Sequence, residues 1–315
     1  MNDRAELPPE FLSRLRKILE PRHVDPVLES FFQPKHTGFR VNTLKLEPSD
    51  LIPRLRTADI DPDPVTWCDE AFGVSVAQRS LLTHTPRVLT GDIYVQSLSS
   101  ILAVTLLDVQ PGQWNLDLAA APGGKATHIA ALMNNEGKLS VVEPIRKRMY
   151  RLADTLKRLG VTIGKTYLMD GRKVGEKVPD RFDRVLLDAP CSSESRIRGN
   201  DPESWKYWSQ RKIREQARKQ AGLIRSGFVS LKPGGIMLYC TCSFAPEENE
   251  AIVAGLLNEF PDQAQLLPLD LPIDNWQAGL REFGSDQFAP QLELTRRILP
   301  NSIFDGFYLA LLAKE

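Results

Sequence analysis

Apolar runs and amphipathic segments alternate in the middle of this 315-residue chain, from residue 111 to residue 239. The apolar runs have the length of strands and lie at 113–118, 138–142, 166–169, 182–187 and 235–239. Segments with the apolar spacing of helices lie between them, at 125–133, 145–159 and 208–231. Because strands that alternate with helices form a parallel sheet covered by helices, the sequence predicts an α/β domain. A helix at 246–259 and a strand at 307–312 complete it.

The residues before position 89 have a different pattern. Residues 39–44 are predicted as a strand, 48–57 as a helix and the Asp-Pro repeat at 61–64 as a turn. This pattern indicates a small α+β unit whose boundary with the α/β part lies between residues 75 and 95. We therefore predict two domains, at 1–88 and 89–315.

Composition excludes several classes of protein. The chain has no run of eighteen apolar residues, and residues 1–20 lack the apolar segment of a secretory leader. We therefore expect a soluble, unexported, cytoplasmic protein without membrane contacts. The four cysteines are too few and too unevenly spaced for a disulfide framework, and no histidine lies at a zinc-like spacing from them. We expect reduced thiols and no metal, with Cys68 and Cys240 as buried apolar residues.

Charge is clustered although the net charge is zero. Residues 144–165 contain seven basic residues and one acidic residue, and residues 194–225 contain nine basic and four acidic ones. Such runs are most often solvated helix faces, but they are also typical of surfaces that contact phosphates. Both interpretations remain open from the sequence alone.

A turn of small residues follows the first strand of the predicted sheet. It consists of Ala119, Ala120, Ala121, Pro122, Gly123, Gly124 and Lys125. Small side chains let the backbone approach a ligand at the start of a helix, which is how open α/β sheets bind nucleotide-like molecules. ATP is disfavoured, because Ala119 replaces the first glycine of a phosphate-binding loop and Ala126 replaces its Ser or Thr.

Acidic residues end the next three strands. Glu143 follows the second strand, where a carboxylate can accept hydrogen bonds from ribose hydroxyls, and Asp170 and Asp188 end the third and fourth. Each of these residues alone is also a common helix cap. Together with the turn they favour a cofactor that carries an adenosine and an amino acid. S-adenosylmethionine (SAM) fits this description at least as well as NAD.

Two cysteines adjoin the same edge of the predicted sheet. Cys191 follows Pro190 directly after the fourth strand, and Cys242 lies in the equivalent loop after the fifth. A thiolate is the strongest nucleophile that a side chain offers near neutral pH. The position of both residues therefore favours a nucleophilic thiol beside a cofactor over a buried apolar role.

At these motifs the chain resembles the Sun (Fmu-type) RNA cytosine-5 methyltransferases. The matching runs are 117–125, Asp-Ala-Pro-Cys-Ser at 188–192, Thr-Cys-Ser at 241–243, Pro-Glu-Glu-Asn-Glu at 246–250, Asp-Gly-Phe at 305–307, Phe-Arg-Val-Asn-Thr at 39–43 and the run at 94–100. The front region and the Asp-Gly-Arg run at 170–172 look most like the bacterial 16S ribosomal RNA enzymes. One departure is Ser193, which stands where a glycine usually follows Pro-Cys-Ser.

The resemblance implies a Rossmann-like, SAM-dependent class I methyltransferase core behind a small N-terminal RNA-binding subdomain. It implies that Cys242 is the covalent nucleophile and that Cys191 helps release the product. The turn at 119–125 would then hold SAM together with Glu143, Asp170 and Asp188. The implied reaction is methylation of carbon-5 of a cytosine in RNA, with ribosomal RNA favoured over transfer RNA. We expect an RNA partner and a monomeric protein.

The chemistry explains why such groups are needed. Carbon-5 of cytosine is a poor nucleophile, but a thiolate that adds to carbon-6 breaks the aromaticity and makes carbon-5 able to attack a methyl group. A carboxyl group near ring nitrogen-3 would stabilise the adduct, and Asp188 is the candidate. The base must be single-stranded or flipped out. Residues that could line its groove are Arg196, Arg198, Trp205, Lys206, Tyr207 and Trp208, although the two tryptophans could instead pack a helix start.

Two other functions remain open. In a DNA cytosine methyltransferase the Pro-Cys thiol of Cys191 would be the nucleophile, which would leave Cys242 without a role. A non-catalytic RNA-binding factor for ribosome assembly could keep the methyltransferase fold. The intact Cys242 and the complete acidic series argue against this second alternative.

Overall fold

The computed structural model describes residues 7–315, so the first six residues of the predicted domain 1–88 lie outside the described part. The helices are α1 (Pro9–Ile18), α2 (Pro21–Ser30), α3 (Pro48–Arg56), α4 (Arg79–His84), α5 (Pro86–Thr90), α6 (Leu98–Thr105), α7 (Gly124–Leu132), α8 (Arg146–Arg158), α9 (Val174–Lys177), α10 (Gln210–Ser230) and α11 (Glu250–Glu259). The strands are β1 (Thr37–Val41), β2 (Asp63–Val65), β3 (Cys68–Val74), β4 (Ile93–Val95), β5 (Trp114–Asp117), β6 (Lys138–Val142), β7 (Gly164–Tyr167), β8 (Phe182–Asp188), β9 (Leu231–Thr241), β10 (Ala264–Leu267), β11 (Trp276–Ala278), β12 (Glu282–Phe283), β13 (Asp286–Gln287), β14 (Arg296–Ile298) and β15 (Phe307–Lys314).

The larger sheet contains five parallel strands in the order β7-β6-β5-β8-β9. These are the five strands that the sequence predicted, and the α/β fold with a Rossmann-like core is confirmed. β15 pairs antiparallel with β9, and both β14 and β10 pair with β15. The strand order reverses between β5 and β8. In open α/β sheets ligands bind outside the carboxyl ends of the strands at such a reversal.

Helices cover both faces of this sheet because each presents an apolar side to it. On one face α6, α7 and α8 pack through residues such as Ile101, Ile129 and Leu152. On the other face α10 and α11 pack through Phe228 and Val253. The inner parallel strands β5, β6 and β8 are therefore mostly buried, which explains apolar runs such as 185–187, whereas the edge strand β7 is partly exposed and more polar.

A second, four-stranded antiparallel sheet is formed by the front part of the chain, in the order β2-β3-β1-β4. It has its own core, in which Phe39 stacks on Phe72 and α3 contributes Leu51. Helices α1 and α2 pack elsewhere, against Ile197 and Phe244 near the predicted cysteine loops. The front sheet itself contacts α7, because Nη2 of Arg40 on β1 donates to Oγ1 of Thr127 at 2.5 Å. The front part thus contacts the larger domain in two places, and the domain boundary at residue 88 stays a prediction.

The structure differs from the sequence prediction at several element ends. β1 ends at Val41, because Asn42 starts a turn in which the Lys45 N–H donates to its carbonyl. β9 begins at Leu231 rather than at residue 235, and Gly234 takes a positive φ of 76° inside it. Part of the predicted turn at 61–64 forms β2. Among the described residues, no helix is long and apolar enough to cross a membrane.

Candidate active site

A cavity of about 830 Å³ opens at the carboxyl ends of the parallel strands, at the reversal between β5 and β8. The predicted site residues in its wall are Ala119, Ala120, Ala121, Pro122, Gly124, Lys125, Glu143, Asp170, Asp188, Cys191 and Cys242. Gly123 is the one predicted residue that does not line it. The fold therefore brings these separate sequence segments to one place.

The turn before α7 needs glycine at two positions for different reasons. Gly123 has a φ of 110°, a backbone conformation that residues with a side chain rarely adopt. A Cβ atom on Gly124 would lie 2.7 Å from Cε1 of Tyr94, which packs over the turn. The carbonyl of Ala121 accepts a hydrogen bond of 2.9 Å from Nη2 of Arg148 on α8. The turn is thus fixed from two sides while its small residues leave the cavity open.

The carboxylates at the strand ends have different surroundings. Oε1 of buried Glu143 accepts a 2.9 Å hydrogen bond from the Ile145 N–H, and its Oε2 lies 3.4 Å from Nη1 of Arg148. Asp170 accepts hydrogen bonds from the guanidinium of Arg172, which keeps the pKa of this carboxyl below its usual range. Both residues still line the cavity.

Asp117 at the end of β5 is an acidic residue to which the sequence analysis gave no role. It is buried at the cavity wall, and burial, together with the charge of Asp188, raises its pKa to about 7. Asp117 is the first residue of the run 117–125 that the sequence analysis singled out, and the structure shows that it is the residue that ends the first parallel strand. A carboxyl with such a pKa can exchange a proton near neutral pH.

Lys125 contacts Asp188 directly. Its Nζ lies 2.7 Å from Oδ2 of Asp188 and donates to Oγ of Ser100 at 3.1 Å. Burial opposes the charge of Lys125, but the negative charge of Asp188 and its hydrogen bond with the ammonium raise the pKa of Lys125. Cys240 is fully buried, as predicted, and its thiol donates to Oδ1 of Asp188 at 3.8 Å. Asp188 is thereby oriented from both of its oxygens.

The two predicted catalytic thiols lie side by side in the wall of the cavity. Sγ of Cys191 is 3.3 Å from Sγ of Cys242. Ser193, which stands where the family usually has a glycine, takes a positive φ of 62° in the turn after Cys191. That turn accounts for the usual glycine, because glycine adopts this conformation without strain.

The surroundings of the two sulfurs shift the pKa values of the two thiols in opposite directions. A hydrogen bond from the Cys191 thiol lowers the pKa of Cys242; burial acts against it, and the positive charge of Arg196 adds to the lowering. The same contact with Cys242, followed by burial, raises the pKa of Cys191. Cys242 is therefore the thiol that forms a thiolate more easily.

Of the six predicted groove residues, one lines the cavity and five do not. Arg196 lines the cavity. Trp208 instead packs edge to face on Phe11 and donates from its indole nitrogen to Glu194, and Trp205 joins the same apolar cluster. The two tryptophans thus pack the approach to α10, the alternative that the sequence left open.

Several cavity residues carried no assigned role in the sequence analysis. They are Tyr94, Ser100, Arg148, Gln216, Lys219, Asp305 and Phe307. All seven belong to runs that the sequence analysis already singled out, at 94–100, 144–165, 194–225 and 305–307. The runs were recognisable, but which of their members reach the cavity depends on the fold.

Two family models match the chain. The model described as 16S rRNA methyltransferase RsmB/F matches residues 104–313, and the model described as the N-terminal domain of 16S rRNA methyltransferase RsmF matches residues 7–98. The chain belongs to the RsmB/F methyltransferase family. The resemblance seen in its sequence is thereby confirmed.

Relatives of this RsmB/F family member match over most of its length. Ribosomal RNA small subunit methyltransferase F of Aeromonas salmonicida is 37% identical over 100% of this chain and 65% of its own length. The protein of the same name from Aeromonas hydrophila is 40% identical over 82% of this chain and 56% of its own. A solved methyltransferase homolog from Pyrococcus horikoshii is 31% identical, with a TM-score of 0.78. The match covers 98% of this chain and 100% of the homolog. The chain spans about three fifths of these two curated relatives.

One group of possible metal ligands lies away from the cavity of this RsmB/F family member. Ligand atoms of Cys68, Glu70 and His128 lie within 4.8 Å of one another, between β3 and α7. Nε2 of His128 is 3.1 Å from Oε1 of Glu70, and burial, with the nearby charge of Arg40, lowers the pKa of His128 to about 4. A neutral histidine can donate from Nε2 to the Glu70 carboxylate without an ion, while its buried Nδ1 has no hydrogen-bond partner among the described residues. The expected absence of metal stays a prediction.

Proposed function

We propose that this protein methylates carbon-5 of a cytosine in ribosomal RNA with SAM as methyl donor and Cys242 as the covalent nucleophile. The observation that carries the proposal is the pair of sulfurs, 3.3 Å apart, in the same cavity as the Lys125–Asp188 pair and the small-residue turn. Family membership supports the reaction type. The chain spans only part of the length of its curated relatives, so the activity and the substrate of this chain are a proposal.

The cavity has the size and the groups that SAM requires. Its volume lies within the range of roughly 300–1,000 Å³ that small-molecule sites occupy. The turn at 119–125 offers backbone groups at the start of α7, and Glu143 would accept hydrogen bonds from ribose hydroxyls. Asp170 lines the same cavity and would help to hold SAM. When bound, SAM supplies an electrophilic methyl group.

The thiols divide the work on the base. The Cys242 thiolate adds to carbon-6 of cytosine, so that the electron pair of the carbon-5–carbon-6 bond becomes available at carbon-5. After methyl transfer the carbon-5 proton leaves to a base, the double bond reforms and the carbon–sulfur bond breaks. Cys191, whose sulfur lies 3.3 Å from that of Cys242, is placed to protonate the departing thiolate. Its raised pKa keeps it protonated for that step.

Asp188 and Lys125 would hold the base. The Asp188 carboxylate can accept a hydrogen bond from the exocyclic amine, or from nitrogen-3 when that atom is protonated in the adduct. Lys125 fixes the carboxylate in place through its 2.7 Å contact. A role for Lys125 at Asp188 differs from the cofactor contact expected from the sequence. Lys125 belongs to the turn and also lines the cavity, so both roles are kept in the proposal.

The RNA would approach over the basic rim of the cavity. Arg172, Arg196 and Lys219 line the opening and are exposed, so they can contact phosphates. The target cytosine must leave its stack to reach the sulfurs, which favours a single-stranded or flipped-out base.

Mass spectrometry of nucleosides tests this proposal. Ribosomal and transfer RNA fractions from cells that lack the protein are incubated with purified protein and SAM, alongside a Cys242→Ala variant. We expect new 5-methylcytidine in the ribosomal fraction with the wild-type protein and none with the variant. Product in transfer RNA alone would correct the substrate. No product in free RNA or in assembled ribosomal subunits, with SAM still bound in a titration, would favour a non-catalytic RNA-binding factor.

A further inference from the structure

Two loops carry the cysteines of the candidate active site. We call residues 189–196 the first thiol loop and residues 242–248 the second thiol loop. The loops touch directly, since the hydroxyl oxygens of Ser192 and Ser243 lie 2.9 Å apart. Each of these serines immediately follows the cysteine of its own loop. A shift of either loop would therefore move a sulfur atom.

Glu194 belongs to the first thiol loop but contacts the second. Its Oε2 accepts hydrogen bonds from Oγ of Ser243 at 3.0 Å and from the Phe244 N–H at 2.8 Å. These are the two residues that follow Cys242. Its other oxygen accepts from the indole nitrogen of Trp208 at 2.8 Å. The side chain is only 2% exposed, so these donors take the place of water around the carboxylate.

Glu248 shows the reverse arrangement. It belongs to the second thiol loop, and its carboxylate accepts from both the N–H, at 2.9 Å, and the hydroxyl of Ser192, the residue after Cys191. Nε2 of Gln220 on α10 donates to Oε1 of Glu248 at 3.1 Å and to the Pro190 carbonyl at 2.9 Å. The residues on both sides of Cys191 are thus held, one by Glu248 and the other by Gln220.

Neither carboxylate can act on a bound ligand directly. Cys191 and Cys242 line the cavity, whereas Glu194 and Glu248 are not among the described residues in its wall. Both glutamates are almost fully buried behind the cysteines. Whatever they contribute to the reaction must therefore act through the loops that they connect.

We infer that Glu194 and Glu248 are positioning residues that hold the sulfurs of Cys242 and Cys191, respectively, at their 3.3 Å separation. The inference rests on the proposed function, in which Cys242 forms the adduct and Cys191 assists its release. Misplacing a reacting group by about 1 Å can lower a rate on the order of 100-fold. Loss of the Glu194 contacts therefore slows adduct formation, and loss of the Glu248 contacts slows adduct release, each by about 10- to 100-fold.

Five variants separate these roles. Glu194→Gln and Glu248→Gln keep the side-chain shape but replace one acceptor oxygen with a donor. Ser243→Ala removes one hydrogen-bond donor from Glu194, and Ser192→Ala removes one from Glu248. If a glutamate variant does not fold, the corresponding serine variant still tests the role of that glutamate. Glu247→Gln is the matched control, because Glu247 is adjacent in sequence but is 32% exposed and pairs with Arg14 instead.

Two measurements are made on each folded variant. Single-turnover reactions with RNA and SAM give the rates of adduct formation and adduct decay. Alkylation by iodoacetamide without RNA, followed by peptide mass spectrometry, gives the reactivity of each cysteine. Changes at Glu194 and Ser243 should alter Cys242 alkylation and adduct formation. Changes at Glu248 and Ser192 should alter Cys191 alkylation and adduct decay, and the control should alter neither.

Two results would overturn the inference. One is an unchanged pattern of alkylation and rates in folded variants, and the other is an equal loss of both steps in all four of them. Failure of the proposed function looks different, because the wild-type protein would then give no adduct and no 5-methylcytidine with any RNA. The alkylation measurement needs no RNA, so it still tests whether the two glutamates position the thiols.

Discussion

The sulfur of Cys191 lies 3.3 Å from the sulfur of Cys242, although 51 positions separate the two residues in the chain. The contact arises because β8 and β9 are adjacent parallel strands, so the loops that follow them lie at the same edge of the sheet. The thiols are not equivalent. The pKa of Cys242 is lowered and that of Cys191 is raised, so one of them is prepared to attack and the other to donate a proton.

Arg196 contributes to this difference, and its removal should be visible in the reactivity of Cys242. The Arg196→Met change removes a positive charge that favours the Cys242 thiolate, so the pKa of Cys242 should rise. The rate of Cys242 alkylation by iodoacetamide is measured against pH. We expect the profile of the variant to move to higher pH. Arg211→Met, which removes an exposed arginine paired with Glu215, should leave the profile in place, and equal profiles for all three proteins would contradict the assignment.

Asp188 should be required for turnover much more than an otherwise similar aspartate on the same strand. We expect Asp188→Asn to lower kcat by about 10²- to 10⁴-fold, the range for loss of a group that transfers or shares a proton. Asp183 at the start of β8 also contacts a lysine, Lys232, at 2.8 Å, but it lies at the opposite end of the strand. Asp183→Asn is therefore the control. A similar loss of kcat in both variants would indicate that the Asp188 change acts through the fold, and it would contradict the direct role of Asp188 at the base.

Asn42 joins the front part of the chain to the larger domain. Its Nδ2 donates to the carbonyls of Gly91 and Leu159, at 2.8 and 2.9 Å, and it is fully buried. Asn42→Ala leaves two buried carbonyls without a partner, which should cost about 1–3 kcal/mol in the free energy of unfolding. Urea unfolding measures the change. Thr57→Ala, which removes an exposed local hydrogen bond, should have little effect, and equal losses would refute the linking role.

His128 makes the stability depend on pH in a defined direction. Burial above all holds its pKa at about 4 in the folded protein, against an ordinary value of 6.5. Between these pH values the unfolded chain binds a proton at this histidine that the folded protein does not bind. The contribution of neutral, buried His128 to the free energy of unfolding is therefore fully present above pH 6.5 and is lost as pH falls through about 4. His128→Gln removes the effect.

The measurement is the free energy of unfolding between about pH 7 and about pH 5. The wild-type protein should lose more stability over this interval than the His128→Gln variant. Asp117 and Glu248, whose pKa values are raised to about 7, act in the opposite direction in both proteins and cancel in the comparison. His84→Gln, at an exposed histidine, should behave like the wild type. A steeper loss in His128→Gln would contradict the assigned direction.

The sequence predicted the parallel strands well, because their apolar runs are bounded by clear turn residues. The run at 138–142 coincides with β6, and Asp188 and Cys191 lie at the sheet edge where their position after β8 puts them. Of the later antiparallel strands, β15 was predicted at 307–312, but β11 and β14 were missed, because they have three residues each and carry little periodic signal. Short strands of this kind depend on their neighbours.

The contacts between distant segments could not be predicted from the sequence. Nothing in the run at 188–196 indicates that Glu194 accepts from the residue after Cys242, or that Glu248 accepts from Ser192. Likewise α1 follows a proline and has ordinary amphipathic spacing, but only the fold shows that Phe11 packs on Trp208 behind the thiol loops. Each of these contacts depends on the tertiary arrangement of two elements.

Trapping of the covalent intermediate tests the central claim most directly. RNA that contains 5-fluorocytidine at the target position blocks the last step, because fluorine cannot leave carbon-5 as a proton does, and the thiol adduct accumulates. After incubation with SAM and protease digestion, mass spectrometry identifies the peptide bound to RNA. We predict that this peptide contains Cys242, that Cys242→Ala gives no adduct and that Cys191→Ala still gives one. An adduct on Cys191 would contradict the account, as would full methylation by the Cys242→Ala protein.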